Sequence, residues 1–338
     1  MIEALLYEKE GSDFLHCYLC AHHCRITDGK FGLCGVRQNV GGLLYTHSYG
    51  RLAAVNVDPI EKKPLYHYLP GTKSYSIATI GCNFRCGFCQ NWQISQTSFR
   101  EIEGASRQTS EIVRPEQVVR AAIENKCRSI SYTYTEPTIF FEYALECARL
   151  SSEKGLRNVF VTNGYMTVDA LSLIAPYLGA ANVDLKFFNN ASYNRICSAR
   201  LDPVLDSIRL MKEMGVWVEI TTLVIPGEND SDGELNAIAG FISSVDKNIP
   251  WHVSRFHPDY QYAEYKLTPE TSLKKAFEIG SKNGLKYVYA GNVYGWGTDT
   301  HCAACGKTLI KRDGFAVSNI SIKDNKCVFC DEPVAGIF

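Results

Sequence analysis

Gly81-Cys82-Asn83-Phe84-Arg85-Cys86-Gly87-Phe88-Cys89-Gln90 sets three cysteines at C-x3-C-x2-C spacing, with an aromatic residue directly before the third. Three thiolates this close in sequence can hold three irons of a cubane, whereas four-iron clusters normally take four cysteines. The remaining iron is then free for a small molecule, which points to catalysis rather than electron storage. Zinc is the competing reading. It usually takes four ligands and C-x2-C pairs, and pairing Cys86 with Cys89 would leave Cys82 spare.

Outward from this run the chain alternates short β runs with amphipathic helices. Strands are predicted at 74–80, 129–134, 158–162, 181–185, 216–223, 251–256 and 287–289, all rich in Val, Ile, Thr and Tyr. Helices are predicted at 114–125, 138–154, 167–177, 203–214, 232–245 and 268–282. Thr268-Pro269-Glu270 reads as a helix start, with a capping Thr and Pro at the first helical position. Gly155, Gly215 and Gly284 fall just past helix ends. Repeated β-α units imply an α/β fold of parallel strands with helices outside. Six or seven units fit a partial, open (β/α)6-type barrel, with a doubly wound sheet as the alternative. The triad directly follows the first strand, where barrel chemistry sits, and this favours the barrel. Residues 95–113 are polar and aperiodic and read as a loop.

The 338 residues suffice for one large barrel (71–295) between a Cys-rich N-terminal segment (1–70) and a C-terminal segment (296–338). Hydrophobic content of 46% and charged content of 21% are those of a globular protein. A formal net charge of −1 gives no electrostatic case for nucleic acid. No apolar run reaches the roughly 18 residues that a membrane span needs. Met1-Ile2-Glu3-Ala4 lacks a signal-peptide pattern. The 14 cysteines group as metal ligands, so a reducing cytoplasm is expected. An exposed cluster suggests an anaerobic or low-oxygen niche.

Two further quartets flank the barrel. Cys302-x2-Cys305 and Cys327-x2-Cys330 lie close to the zinc pattern of C-x2-C pairs about 15–20 residues apart. Residues 309–312 and 315–317, turned by Asp313-Gly314, are plausible hairpin strands between them. Structural zinc is favoured, with a rubredoxin-like iron as the alternative. Cys17, Cys20, Cys24 and Cys34, with His22 and His23 among them, read first as a zinc site that folds a short segment. A second four-iron cluster is the alternative. Cys127 and Cys147 read as packing. Cys197 follows the fourth strand, where a thiol could donate hydrogen to a substrate radical.

Polar groups recur at the strand ends. Glu136 follows the second strand and Asn163 the third. Asp184 and Lys186 share one face of the fourth, opposite Val183 and Leu185. Alternation similarly turns Glu219 and Thr221 to one face. His252, Arg255 and His257 remain without an assigned face.

The triad resembles that of the radical S-adenosylmethionine (SAM) superfamily. Cys17-x2-Cys20-Ala21-His22-His23-Cys24, Gly32-Leu33-Cys34-Gly35-Val36-Arg37, Asp58-Pro59-Ile60-Glu61-Lys62-Lys63-Pro64-Leu65, Cys89-Gln90-Asn91-Trp92, Tyr134-Thr135-Glu136-Pro137-Thr138 and Leu223-Val224-Ile225-Pro226-Gly227-Glu228-Asn229-Asp230 resemble one group within it. That group is the AmmeMemoRadiSam system radical SAM enzymes, similar to pyruvate formate-lyase activating enzymes. The resemblance implies a 4Fe-4S cluster on Cys82, Cys86 and Cys89 that chelates and reductively cleaves SAM to a 5'-deoxyadenosyl radical, an oxidoreductase-type reaction. It implies cofactor contacts from Phe88, Glu136, Asn163, Asp184 and Lys186. Many relatives carry Gly-Gly-Glu-Pro where this chain has Tyr134-Thr135-Glu136-Pro137. It also implies a low-potential reductant (ferredoxin or flavodoxin) and a pathway shared with Memo-like and AMMECR-like proteins. The substrate expected is a small molecule or peptide. A glycyl radical enzyme activase is the second reading, and an iron–sulfur electron carrier the third. Either flanking segment could lie across the barrel mouth.

Overall fold

The structure, a computed structural model, describes residues 1–11, 14–99 and 111–338. Its centre is an eight-stranded sheet in strictly sequential order. The strands are β1 (Leu52–Pro59), β2 (Lys73–Thr79), β3 (Ser129–Tyr132), β4 (Arg157–Thr162), β5 (Ala180–Asp184), β6 (Trp217–Val224), β7 (Trp251–Arg255) and β8 (Val288–Gly291). β2 to β8 run parallel, and β1 pairs antiparallel with β2, from Leu52 opposite Thr79 to Pro59 opposite Lys73. The seven predicted strands are therefore present. The added edge strand lies inside 1–70; its exposed Val55 and Val57 blur the periodicity that would have revealed it. Predicted residues 95–113 lie partly outside the described residues.

Helices α1 (Pro115–Glu124), α2 (Phe141–Glu153), α3 (Val168–Ile174), α4 (Asp202–Glu213), α5 (Asp232–Val245) and α6 (Glu270–Lys282) cover the outside. β3 to β5 are buried on nearly all positions, as strands covered on both faces must be. The Thr167 side chain caps α3 through Ala170 N–H, and the Ser231 side chain caps α5 through Glu234 N–H. Gly155, Gly215 and Gly284 take the left-handed conformation just past α2, α4 and α6. Thr268 differs from expectation. Pro269 takes the N-cap position of α6. Thr268 instead accepts from Phe256 N–H at 3.0 Å and donates to Val224 C=O at 2.6 Å, pinning the ends of β6 and β7 together. A buried hydroxyl gains more from two unpaired backbone groups than from one helix N–H.

Between β1 and β2 the strap 60–69 crosses the barrel floor. Glu219, fully buried near the start of β6, accepts from the backbone N–H of Tyr66 (3.0 Å) and His67 (2.8 Å), from Trp217 Nε1 (3.0 Å), and bonds His252 Nε2 at 2.7 Å. His67 bonds Tyr289 Oη at 2.6 Å and Ala335 C=O at 2.7 Å. The C-terminal segment docks on the same floor: Arg312 donates to Tyr66 C=O at 2.7 Å and to Thr300 Oγ1 at 2.8 Å. The N-terminal segment lies at the opposite end, where Ala21 N–H reaches Tyr165 C=O at 3.1 Å beyond β4. The Cys-rich part of the N-terminal segment therefore stands at the barrel mouth, while its strap 60–69 and the C-terminal segment stand at the floor. Among the described residues no helix is long and apolar enough to cross a membrane.

Burial lowers the pKa of His67 from 6.5 to about 4. Folding thus favours its neutral form, and the stability this carries is full above pH 6.5 and lost as pH falls toward 4. The unfolding free energy in urea should drop by about 3 kcal/mol over that window through this group alone. His67→Gln, which cannot titrate, should show a flatter pH profile; an equally steep one would dissociate the floor from the acid response.

Candidate active site at the C-terminal ends of the strands

The triad loop leaves β2 and is gripped from two sides. Arg85 N–H bonds Cys197 C=O at 2.9 Å and Gly87 N–H bonds Ile196 C=O at 3.3 Å. Both acceptors belong to a π-helical turn, Tyr193–Cys197, of the kind often found at functional sites. From the other side Gln261 N–H bonds Gly87 C=O at 3.1 Å. A Cβ on Gly87 would fall 2.8 Å from the Tyr262 ring, so only glycine allows this approach.

The three sulfurs have separate supports. Phe84 N–H points at Cys82 Sγ (3.4 Å), Ser95 Oγ lies 3.1 Å from Cys89 Sγ, and Cys197 Sγ lies 3.5 Å from Cys86 Sγ. Burial holds the Cys82 and Cys89 thiols up; for Cys86 the Cys197 contact is the larger cause, with burial second. Three thiolates here would need a cation of more than unit charge. A single tetrahedral zinc would draw sulfurs to about 3.8 Å apart, given Zn–S near 2.3 Å. Among the described residues the triad sulfurs do not meet even a mutual 4.8 Å limit. Three thiols also leave a lone tetrahedral ion one ligand short, whereas thiols that each serve a different iron need no such crowding, so the donor set fits a cubane with one open iron.

The strand-end residues converge on this loop. Glu136, 2% exposed, accepts at Oε1 from Thr138 N–H (3.1 Å), Thr138 Oγ1 (2.5 Å) and Thr162 Oγ1 (2.7 Å), and at Oε2 from Asn163 N–H (2.7 Å). Asn163 Nδ2 then donates to Asn83 Oδ1 at 2.7 Å, beside Cys82. Glu136 thus joins β3, β4 and the triad loop through one chain of bonds. Asn83 Nδ2 is buried without a partner, a donor left over beside the thiols. Lys186 pairs with Asp184 at 2.9 Å and stands 5.7 Å above the Phe88 ring. Burial works against its charge, but Asp184, Cys86 and Cys197 outweigh it and hold its pKa well above the ordinary value. Phe88 is buried against Phe187 and Tyr262.

Other predicted residues go elsewhere. Glu219 and His252 serve the floor, as described above. Thr221 Oγ1 and Asn182 Oδ1 are buried without partners; Thr221 pairs in register with Asp184, and Asn182 with Glu219. Arg255 donates to Thr268 C=O at 2.9 Å, and His257 is exposed. Cys197 is wholly buried against Cys86.

Tyr134 was missed by sequence reasoning. It takes φ +64°, the left-handed region where relatives' glycine would be at ease. Its hydroxyl donates to Asp58, and the Lys63 ammonium lies 4.4 Å from its ring centroid and 2.6 Å from Asp58. Burial opposes the Asp58 charge, yet bonds from Lys63, Tyr134 and Lys62 hold its pKa well below the usual range. Burial lowers Lys63 to about 8. The signal was a large side chain where relatives carry glycine.

Two outer cysteine sets differ in kind. In the C-terminal one all four sulfurs lie within 4.8 Å of one another, with Cys302–Cys330 at 3.6 Å and Cys305–Cys327 at 3.8 Å, so this quartet could hold a metal ion. The pairs come from turns flanking the hairpin Thr308–Asp313 and Ala316–Ile320. The N-terminal four do not meet that limit among the described residues.

Residues 76–236 match the sequence profile of the Radical SAM superfamily. A Methanocaldococcus jannaschii protein described as uncharacterized is 40% identical over 99% of both chains. A second M. jannaschii protein, named as a glycyl-radical enzyme activating enzyme, is 26% identical over 61% of this chain and 76% of its own. Among solved structures, a radical SAM methyltransferase from Sphaerobacter thermophilus superposes with TM-score 0.52 at 18% identity, covering 71% of each chain.

Glu136→Gln keeps the shape but turns one acceptor into a donor facing hydroxyls or N–H groups. It should cost about 1–3 kcal/mol of unfolding free energy in urea, more than Thr162→Val. Equal stability of wild type and Glu136→Gln would show that the bond chain does not hold the strand ends.

Proposed function

The chain belongs to the radical SAM superfamily, whose members use a 4Fe-4S cluster and SAM, and from that premise we propose that Cys82, Cys86 and Cys89 ligate this cluster. When bound, the two cofactors supply a 5'-deoxyadenosyl radical that abstracts hydrogen from a substrate. The observation that carries the reading is the convergence of Glu136, Asn163 and Lys186 on the triad loop through Asn83 and Phe88. In this reading Lys186 offsets negative charge beside Cys86. Asn83 Nδ2 offers a donor to the bound cofactor, and Glu136 holds the Asn163 backbone in position. Phe88 and Asp184 line the same site.

The substrate we propose is a small molecule or peptide. The support is a barrel with a strapped floor and two buried, partnerless acceptors or donors, Asn182 Oδ1 and Thr221 Oγ1, below Asp184. Buried polar atoms of this kind favour a polar ligand over an apolar one. The pathway shared with Memo-like and AMMECR-like proteins, a ferredoxin or flavodoxin reductant and a cytoplasmic setting remain part of the proposal. The second reading, a glycyl radical enzyme activase, draws on the name of the M. jannaschii relative. A partner deuterated at its glycines separates the two: deuterium recovered in 5'-deoxyadenosine, with a glycyl radical left on the partner, would favour the activase.

Reconstituted, reduced protein should form 5'-deoxyadenosine and methionine from SAM, and Cys86→Ala should abolish it. Undiminished cleavage by that variant would falsify the assignment of the triad. For the C-terminal quartet we propose structural zinc, supported by sulfur spacing near the tetrahedral value of about 3.8 Å. Metal analysis should find about one zinc per chain bound there, lost in Cys302→Ser. Redox-active iron in its place would replace structure with electron transfer.

A further inference from the structure

We propose that Cys17, Cys20, Cys24 and Cys34 hold a second four-iron four-sulfur cluster, set directly against the triad loop, rather than a zinc ion. Cys17 and Cys24 face each other across the hairpin Phe14–Cys17 and Cys24–Thr27, Cys20 lies in its turn, and Cys34 comes from the following loop. Cys20 is within electrostatic reach of the other three. The four therefore surround one space, yet no three of them crowd to the mutual 4.8 Å that the C-terminal quartet satisfies. A single ion draws its ligands together; a cubane separates them, because each sulfur binds its own iron.

Gly32 marks that space. Its backbone is not in the left-handed region, so conformation does not require glycine. A Cβ there would lie 3.7 Å from Cys24 Sγ and 3.8 Å from Cys34 Sγ, and 3.2 Å from Ile26 Cδ1. Any side chain would fill the gap beside the two sulfurs. Arg37, 1% exposed, supplies charge on the other side. Its Nη1 donates to Cys17 Sγ at 3.3 Å and Leu5 C=O at 2.9 Å, and its Nη2 pairs with Glu142. Its Nε is buried with no partner. A buried guanidinium with a spare donor beside four cysteines suits a thiolate-ligated, anionic cluster.

The quartet touches the triad loop. His22 Nε2 bonds Asn83 C=O at 2.7 Å, and Arg85 donates to Leu33 C=O. A Cβ on Gly81 would fall 3.0 Å from Cys34 C=O and 2.6 Å from Val36 Cγ1, so the two loops pack backbone to backbone. The position suits a relay. One electron from a low-potential reductant enters at the N-terminal cluster and leaves it for the triad, so the N-terminal cluster is unchanged over a turnover. That role rests on the proposed function of the triad; the presence of the cluster does not.

The test uses the full chain, reconstituted anaerobically with iron and sulfide, with Cys82, Cys86 and Cys89 all changed to Ala. It should keep about four irons and four sulfides, against about eight of each in the wild type. Reduction should give an iron–sulfur electron paramagnetic resonance signal, lost on adding Cys20→Ala and Cys34→Ala. Zinc at the N-terminal four, or no metal there, would overturn the proposal. Should the triple variant not fold, the wild-type metal ratio decides: about eight irons to one zinc supports it, about four irons to two zincs overturns it. Failure of the triad assignment reads differently, as equal iron content with and without the three cysteines.

Discussion

The carboxylate of Glu219 organises the lower half of the molecule. A buried carboxylate is costly unless its lone pairs are filled, and here four donors converge on it from the strap, Trp217 and His252. Two are backbone N–H groups of Tyr66 and His67, so the strap can cross the floor only along one path. That path delivers the chain into β2 and hence delivers the triad at its far end. Arg312 uses the same strap as its docking surface, through Tyr66 C=O.

Glu136 does at the mouth what Glu219 does at the floor. Both are buried acids that gather donors from different strands, and neither has a lone pair to waste on solvent. Glu136 gathers Thr138, Thr162 and Asn163, and through Asn163 it reaches the loop that bears Cys82. Tyr134 links the two ends. Its left-handed backbone costs about 1–2 kcal/mol, offset by a hydroxyl bond to Asp58 and the Lys63 contact on its ring. The strain sits one turn from the candidate cofactor site, where such outliers tend to gather.

The three cysteine groups are chemically alike and geometrically distinct. The four C-terminal sulfurs are gathered within 4.8 Å of one another; among the described residues the triad and the N-terminal quartet are not. The surrounding charge follows suit. Lys186 stands beside the triad and Arg37 beside the N-terminal four, each held by a carboxylate partner. The two cation-flanked groups are also the two whose loops touch.

Period and spacing carried the sheet, its parallel strands, the triad and the strand-end polar residues, because each is a local pattern: alternation, glycine past a helix, cysteines a few residues apart. Edge strand β1 escaped, since an antiparallel strand exposed on one side has no helix-paired signature. Thr268 looked like a cap because capping is a short-range rule, and lost that role to backbone groups of Val224 and Phe256 that sequence cannot bring near. The same limit applied to Glu219 and His252, whose alternation showed that they point inward but not that the strap would meet them. Sequence by itself determined which residues face the barrel interior and which thiols stand together. Only the tertiary structure decided how far apart those thiols stand, which segment closes which end, and which buried charges meet, because each depends on contacts that no local pattern encodes, from Glu219 with His252, 33 positions apart, to Arg312 with Tyr66, 246 apart.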